Sequence, residues 1–270
     1  MVNFNDLMIT SLETITAFDV SGKMFKWVLD ELQSATIANT EEQTDITGKQ
    51  GRLLNTLKRN KAVTISGANG LISGGMMATQ TGGTFEHKTT TIMYPDYLVV
   101  SGNAATTTYK AVGTEGNEID AVYIRNVDGS IGSVLSQDAS VAAGKFTYDP
   151  ATKALEFNAD ELADGTEIVV YYNRKIEAGV LDNMSDQYSE KVALYIDGFA
   201  EDKCNNVYRI QFFVPKADFN GNFDIELGDN QTVHNFEARS LSGAGCGVVG
   251  GKASLLWTFV VFGEDTPDVA

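Results

Sequence analysis

Residues 191–241 read KVALYIDGFAEDKCNNVYRIQFFVPKADFNGNFDIELGDNQTVHNFEARSL, and the reading of this tract decides the fold. Positions 191–196 and 207–214 are short runs rich in Val, Ile, Tyr and Phe, parted by Asp, Asn and Gly, which is the composition of strands joined by a turn. Asn220-Gly221 stands between two apolar runs and predicts a hairpin over residues 214–227. The same signature recurs outward at residues 62–66, 121–125, 166–172 and 255–262. Residues 145–149 and 154–158 flank Pro-Ala-Thr-Lys, which predicts a hairpin with Pro150 early in its turn. Residues 24–33 fit both a helical and an alternating period and are read as strand. Residues 69–80 suit one short helix, weakened by Gly74 and Gly75. The chain is expected to be mainly β.

Composition removes several classes of function. At 270 residues and 43% hydrophobic, the chain can bury a core and is not disordered. It carries 36 acidic and 20 basic side chains, a net charge of −16 with a pI near 4.4. Nucleic-acid phosphates are bound by positive faces, so free nucleic-acid binding is disfavoured. No apolar run approaches the ~18–20 residues of a spanning helix. The first residues, MVNFNDLMITSLETIT, lack a basic region followed by an apolar one, so no export signal is expected. The sequons at Asn183 and Asn230 then carry no glycosylation meaning. Cys204 and Cys246 lie 42 positions apart, too far for a C-x-x-C site, and His87 and His234 are isolated. They read as ordinary packing or surface residues, with no metal and no cofactor expected.

Charge is unevenly distributed along the chain. The net is −2 over residues 1–96, −6 over 97–178 and −8 over 179–270. The middle segment opens on the small-residue stretch SGNAATTTY and holds about five strand-like runs at the ~8–12-residue spacing of a small β-sandwich. It reads as an insert, residues 97–178, in a discontinuous core made of 1–96 and 179–270. Residues 44–61, TDITGKQGRLLNTLKRNK, hold Lys49, Arg52, Lys58, Arg59 and Lys61 against the single acid Asp45. A solvated loop accounts for that charge; so does a positive contact arm on an acidic molecule, which suits head-to-tail self-association.

Catalytic motifs do not hold up. Residues 245–250 match G-x-G-x-x-G, but the string leads into a predicted strand, where a phosphate cradle needs a helix N-terminus. Asp218-x-Asn220-x-Asn222 begins like a calcium loop, yet its sixth position is Phe223 and its twelfth Asp229. There is no G-x-S-x-G elbow and no H-E-x-x-H, and an enzyme is not expected.

The opening tract resembles the C-terminal half of phage tail-tube proteins: strand, turn, strand, hairpin, then a strand carrying Gly228-Asp229, Thr232, Phe236 and Ala238. The polar arm at 44–61, followed by AVTISGANGLISGG, is similar to that family's β-hairpin arm. The resemblance covers residues 8–95 and 180–262. It implies a tail-tube-type β-sandwich or barrel with a short helix and a long arm; the insert, residues 97–178, departs from that family and itself resembles a small immunoglobulin-like β-sandwich. The tail-tube resemblance implies a virion structural protein that self-assembles into stacked rings of six around an axial lumen. Its partners would be further copies, the tape measure, tail tip and terminator. DNA would pass through without sequence-specific binding, and assembly would occur in the host cytoplasm before incorporation in the tail. The arm would carry Lys49, Arg52, Lys58, Arg59 and Lys61 to a neighbouring subunit, and Asp218, Asp224 and Glu226 are candidates for lumen-wall charge. Two alternatives compete: a capsid or decoration protein, and a carbohydrate-binding module using Tyr94, Tyr97, Tyr171 and Tyr172.

Overall fold

The computed structural model describes residues 6–159, 161–225, 233–242 and 254–263. In chain order its elements begin β1 (Met8–Asp19), β2 (Phe25–Leu29), β3 (Leu32–Thr47), β4 (Leu53–Asn69), α1 (Gly74–Thr81) and β5 (Phe85–Val99). Next come β6 (Ala104–Thr106), β7 (Ala121–Arg125), β8 (Ile131–Gln137), β9 (Lys145–Asp149), β10 (Ala154–Phe157) and β11 (Glu167–Leu181). The last four are β12 (Lys191–Glu201), β13 (Val207–Phe219), β14 (His234–Ser240) and β15 (Thr258–Phe262). The chain divides into two compact units, Met1–Phe85 with Leu181–Ala270, and Glu86–Val180. The first boundary falls before residue 97 because β5 runs unbroken through the small-residue stretch's approach. Pro95 is tolerated there since β5 is the edge strand of its sheet, where a missing N–H can face away from any partner.

The first unit is one eight-stranded sheet, ordered β2-β1-β12-β13-β14-β4-β3 with β15 also on β13. β13 is its hub. One side pairs with β12; the other takes β15 at Arg209–Phe213 and β14 at Ala217–Phe219. Pro215 sits in the gap between those two partners, beside a register shift against β12, so its missing N–H breaks no ladder. Alternation along β12 turns Val192, Leu194 and Ile196 inward, where they join Ile15, Val63, Ile65, Val214, Phe219 and Phe236. The sheet is curled: β1 and β3 touch although four strands lie between them in the order. Each fully buried Leu or Ile of this core contributes roughly 1.5–3 kcal/mol.

Helix α1 begins five residues after the start of the predicted segment and ends one residue beyond it. Ser73 caps it, its Oγ accepting the Met76 N–H at 3.3 Å, and Gly82 ends it in the left-handed conformation. Gly75, poor for helix propensity, has a packing reason: a Cβ there would lie 2.7 Å from Trp27 Cβ. Trp27 Nε1–H donates to Thr79 Oγ1 at 2.8 Å and fixes the helix over β2.

The hairpin expected at Asn220-Gly221 is not formed. Phe219 pairs with Ala238, not with a residue three positions on. A two-residue turn of that type needs positive φ at both central residues, and neither Asn220 nor Gly221 has it. The Asn220 N–H instead donates to Glu237 O at 2.8 Å, its side chain accepts the Asn222 N–H at 3.1 Å, and Phe223 packs on the His234 ring. Tertiary contacts to β14 override the local turn preference. The predicted strand at 255–262 is also shorter, starting at Thr258.

The second unit is a seven-stranded sheet, ordered β5-β11-β7-β8-β9-β10-β6. β8 and β9 pair in parallel; β11–β7, β7–β8, β9–β10 and β10–β6 are antiparallel. β9 and β10 form the hairpin read at Pro-Ala-Thr-Lys, with Lys153 at φ 63. The core collects Val122, Leu135, Phe146, Leu155, Ile168 and Val170. Buried Asp96 pins the loop after β6, accepting the Thr108 N–H at 2.6 Å, the Thr108 hydroxyl at 2.9 Å and the Tyr172 hydroxyl at 2.9 Å. Burial pushes the Tyr172 phenol well above its ordinary range, and its oxygen accepts the Tyr109 N–H.

Candidate functional site

The most conspicuous surface is the ribbon made by β3 and β4. β14 covers β4 only over Val63–Asn69, so beyond Ala62 the two strands pair only with each other among the described residues. At ~3.4 Å per residue that leaves an arm roughly 30 Å long. Between Ala38 and Ala62 every residue is exposed except Gly48 and Thr56, which are half-buried. A free two-stranded ribbon is marginal in water, so its polar cross-strand pairs matter. Thr56 Oγ1 donates to Asp45 at 2.9 Å, Asn60 Nδ2 to Glu42 at 2.6 Å and Arg59 Nη2 to Thr44 at 3.3 Å. The tip, Gly48–Arg52, turns through a short 3-10 segment with Gln50 at φ 62 and Gly51 at φ 72.

The five cations of the sequence reading all lie on this arm, in two different situations. Lys58 Nζ is 2.9 Å from Glu41 Oε1, and that hydrogen bond, with a second from Gln43, holds the Glu41 carboxyl below its ordinary range. Arg59 faces Glu42 in the strand register, and Lys61 lends Glu41 a weaker electrostatic attraction. Glu41 and Glu42 lie outside the 44–61 window, so the ribbon is less positive than that window alone. Lys49 and Arg52, at the tip, form no ion pair among the described residues.

Charge-based reading missed the arm's second property. Ile46, Leu53, Leu54 and Leu57 are exposed by 41%, 57%, 56% and 46%, apolar side chains on the outer half of the ribbon that carries Lys49 and Arg52, with Leu54 on the face opposite its neighbour Leu53. The signal was present as LLNTL following a turn, but a strand with both faces in water offers no buried side from which to recognise it. A monomer rarely leaves several such side chains in water.

Among the described residues, the lumen candidates Asp218 and Asp224 do not share one hairpin. Asp218 is in β13, 3.5 Å from Lys191 Nζ and opposite Arg239, so its charge is largely compensated. Asp224 is exposed in the irregular segment after β13, beside a polar depression that Glu237 and Asn222 also line. Glu226, Cys246 and the glycine-rich string 245–250 lie outside the described residues. Cys204 is exposed in the turn after β12, whose backbone Asp202 holds through the N–H groups of Cys204 and Asn206. Of the four tyrosines, Tyr172 is buried and Tyr94 packs on Tyr109 and Tyr172; Tyr97 and Tyr171 are exposed by 65% and 44%. Both ends of the first unit's sheet, the outer edges of β2 and β3, have no strand partner among the described residues.

The described residues form a mainly β chain with a curled sheet, one short helix and a long two-stranded arm. The YomU/Tube protein family matches residues 7–249, and the chain belongs to that phage-derived tube family. A comparison with curated proteins found no match. Among the described residues, no helix is long and apolar enough to cross a membrane.

Proposed function

We propose that this protein is a major tail-tube subunit, a virion structural protein whose copies associate into stacked rings around a DNA-conducting lumen. The observation that carries this reading is the arm: Lys49 and Arg52 on the same ribbon as Ile46, Leu53, Leu54 and Leu57, projecting from a chain of net charge −16. A cationic, apolar ribbon on an acidic molecule is complementary to a second copy of the same molecule. Two sheet edges without a strand partner among the described residues support it, since strand edges are the natural place for sheets of neighbouring copies to join. An acidic balance suits a passage that must not retain DNA, because like charges repel. The second unit is an inserted immunoglobulin-like β module with its own core. Tape measure, tail tip and terminator are the heterologous partners this role requires, with assembly in the host cytoplasm.

The test is a triple variant at the tip, Lys49→Glu, Arg52→Glu and Leu54→Ser, followed by sedimentation velocity. These side chains are exposed, so the monomer should remain folded by circular dichroism while large species disappear. Undiminished assembly of the folded variant would overturn the arm's role.

A further inference from the structure

The second unit carries an exposed aromatic and charged surface that the arm-based reading of assembly does not call on. The sheet face opposite its core presents Tyr97 from β5 and Tyr171 from β11, with Tyr171 in edge contact with Tyr123 of β7 at 6.0 Å. Beside them Arg125 Nη1 lies 3.3 Å from Glu167 Oε2, and both side chains remain about half exposed, at 45% and 58%. This ion pair separates two adjoining depressions and lines both. One, of about 200 Å³, is flanked by Tyr97 and Val99. The other, of about 710 Å³, is flanked by Asn126 and Asp164. The result is a continuous tract with an aromatic end, a planar charged pair in the middle and an amide and carboxylate at the far end.

That order of chemistry selects a ligand class. A pyranose ring has an apolar C–H face that stacks on an aromatic ring and a rim of hydroxyls that need paired donors and acceptors. Tyr97 supplies a stacking face with a polar tip. The Arg125 fork and the free oxygen of Glu167 supply a donor and an acceptor that adjacent hydroxyls bridge. A dry protein partner would leave this ion pair buried with its remaining valences unmet, which is costly. Charge narrows the class further: residues 86–180 hold seven basic and fourteen acidic side chains, so an anionic polymer meets repulsion. We propose that this face of the second unit binds an uncharged hexopyranose oligosaccharide, one sugar on Tyr97 and the next across Arg125 and Glu167.

The test is affinity electrophoresis of the full-length protein in gels containing mannan, a soluble β-glucan or glycol chitin, with polygalacturonate and poly(glycerol phosphate) as anionic counterparts. At least one neutral polymer is expected to retard the wild type, and neither anionic one. Tyr97→Ala should weaken retardation about tenfold, the factor lost with roughly 1.4 kcal/mol of stacking. Glu167→Gln should weaken it too, while Tyr188→Ala, an exposed tyrosine of the first unit, should not. Retardation by none of the neutral polymers, retardation indifferent to Tyr97 and Glu167, or a preference for the anionic polymers would each overturn the proposal. None of these results bears on tube assembly, which is read separately by sedimentation.

Discussion

At the scale of single residues, position 58 shows how one cross-strand neighbour changes the meaning of a charge. In sequence, Lys58 belongs to a cationic run; in the folded ribbon it lies against Glu41, seventeen positions earlier, and serves the arm's own cohesion. An exposed pair of this kind contributes little to stability, because water screens it. Lys58→Ala is therefore expected to weaken assembly much less than Lys49→Ala or Arg52→Ala, and light scattering of the three variants checks it. His234 is a second case. It is buried, with Nδ1 accepting the Ser73 N–H at 3.3 Å and Nε2 at 2.8 Å from Gln80 Oε1, an arrangement that suits the neutral ring. Burial lowers its pKa from the ordinary 6.5, so the unfolded chain takes up the proton first as pH falls. Its contribution to stability is full above pH 6.5 and is lost as pH falls through the lowered folded value. Urea unfolding of wild type and His234→Gln at pH 7.5 and pH 5 should show the wild type losing more between the two. An equal loss in both would remove His234 as the cause.

At the scale of elements, strands were legible and their connections only in part: the hairpin at Pro-Ala-Thr-Lys formed and the one at Asn220-Gly221 did not. Residues 121–125, 145–149 and 191–196 are β-rich runs with inward alternation, and each became part of a strand because its apolar side faces a core. Asn220-Gly221 failed because a turn preference is worth little against the Glu237 hydrogen bond and the packing of Phe223. The arm was visible as a long polar stretch, but its exposed apolar side chains carry no periodic signal when neither face is buried. The second compact unit starts at Glu86, before the expected residue 97, since β5 crosses that position as an edge strand, which tolerates Pro95. Helix α1 tests the balance between propensity and packing. Gly75→Ala gains about 1 kcal/mol of helix propensity. It also drives a Cβ to 2.7 Å from Trp27 Cβ, where overpacking costs about 1–3 kcal/mol. Packing should win, and the variant should unfold at lower urea than the wild type; a raised midpoint would mean that the Trp27 region yields freely.

At the scale of the whole molecule, two units with separate cores share one chain, and the arm belongs to the first. Thr89 of β5 hydrogen-bonds Glu177 of β11, so the strands that enter and leave the second unit run side by side. An insert whose ends meet can be removed at small entropic cost. Replacing residues 86–180 by a short Gly/Ser linker should leave a folded, assembling first unit, measured by circular dichroism and sedimentation. An insoluble product at every linker length would show that the first unit depends on the second. The central claim, self-assembly into a tube, is tested most directly by negative-stain electron microscopy of the purified wild-type protein over a series of concentrations at low and high salt. The expected images are rings or stacked rings with an axial pore, fewer at high salt because screening weakens the contacts of Lys49 and Arg52. Only monomers of 29.2 kDa at every concentration, or aggregates without a pore, would contradict it.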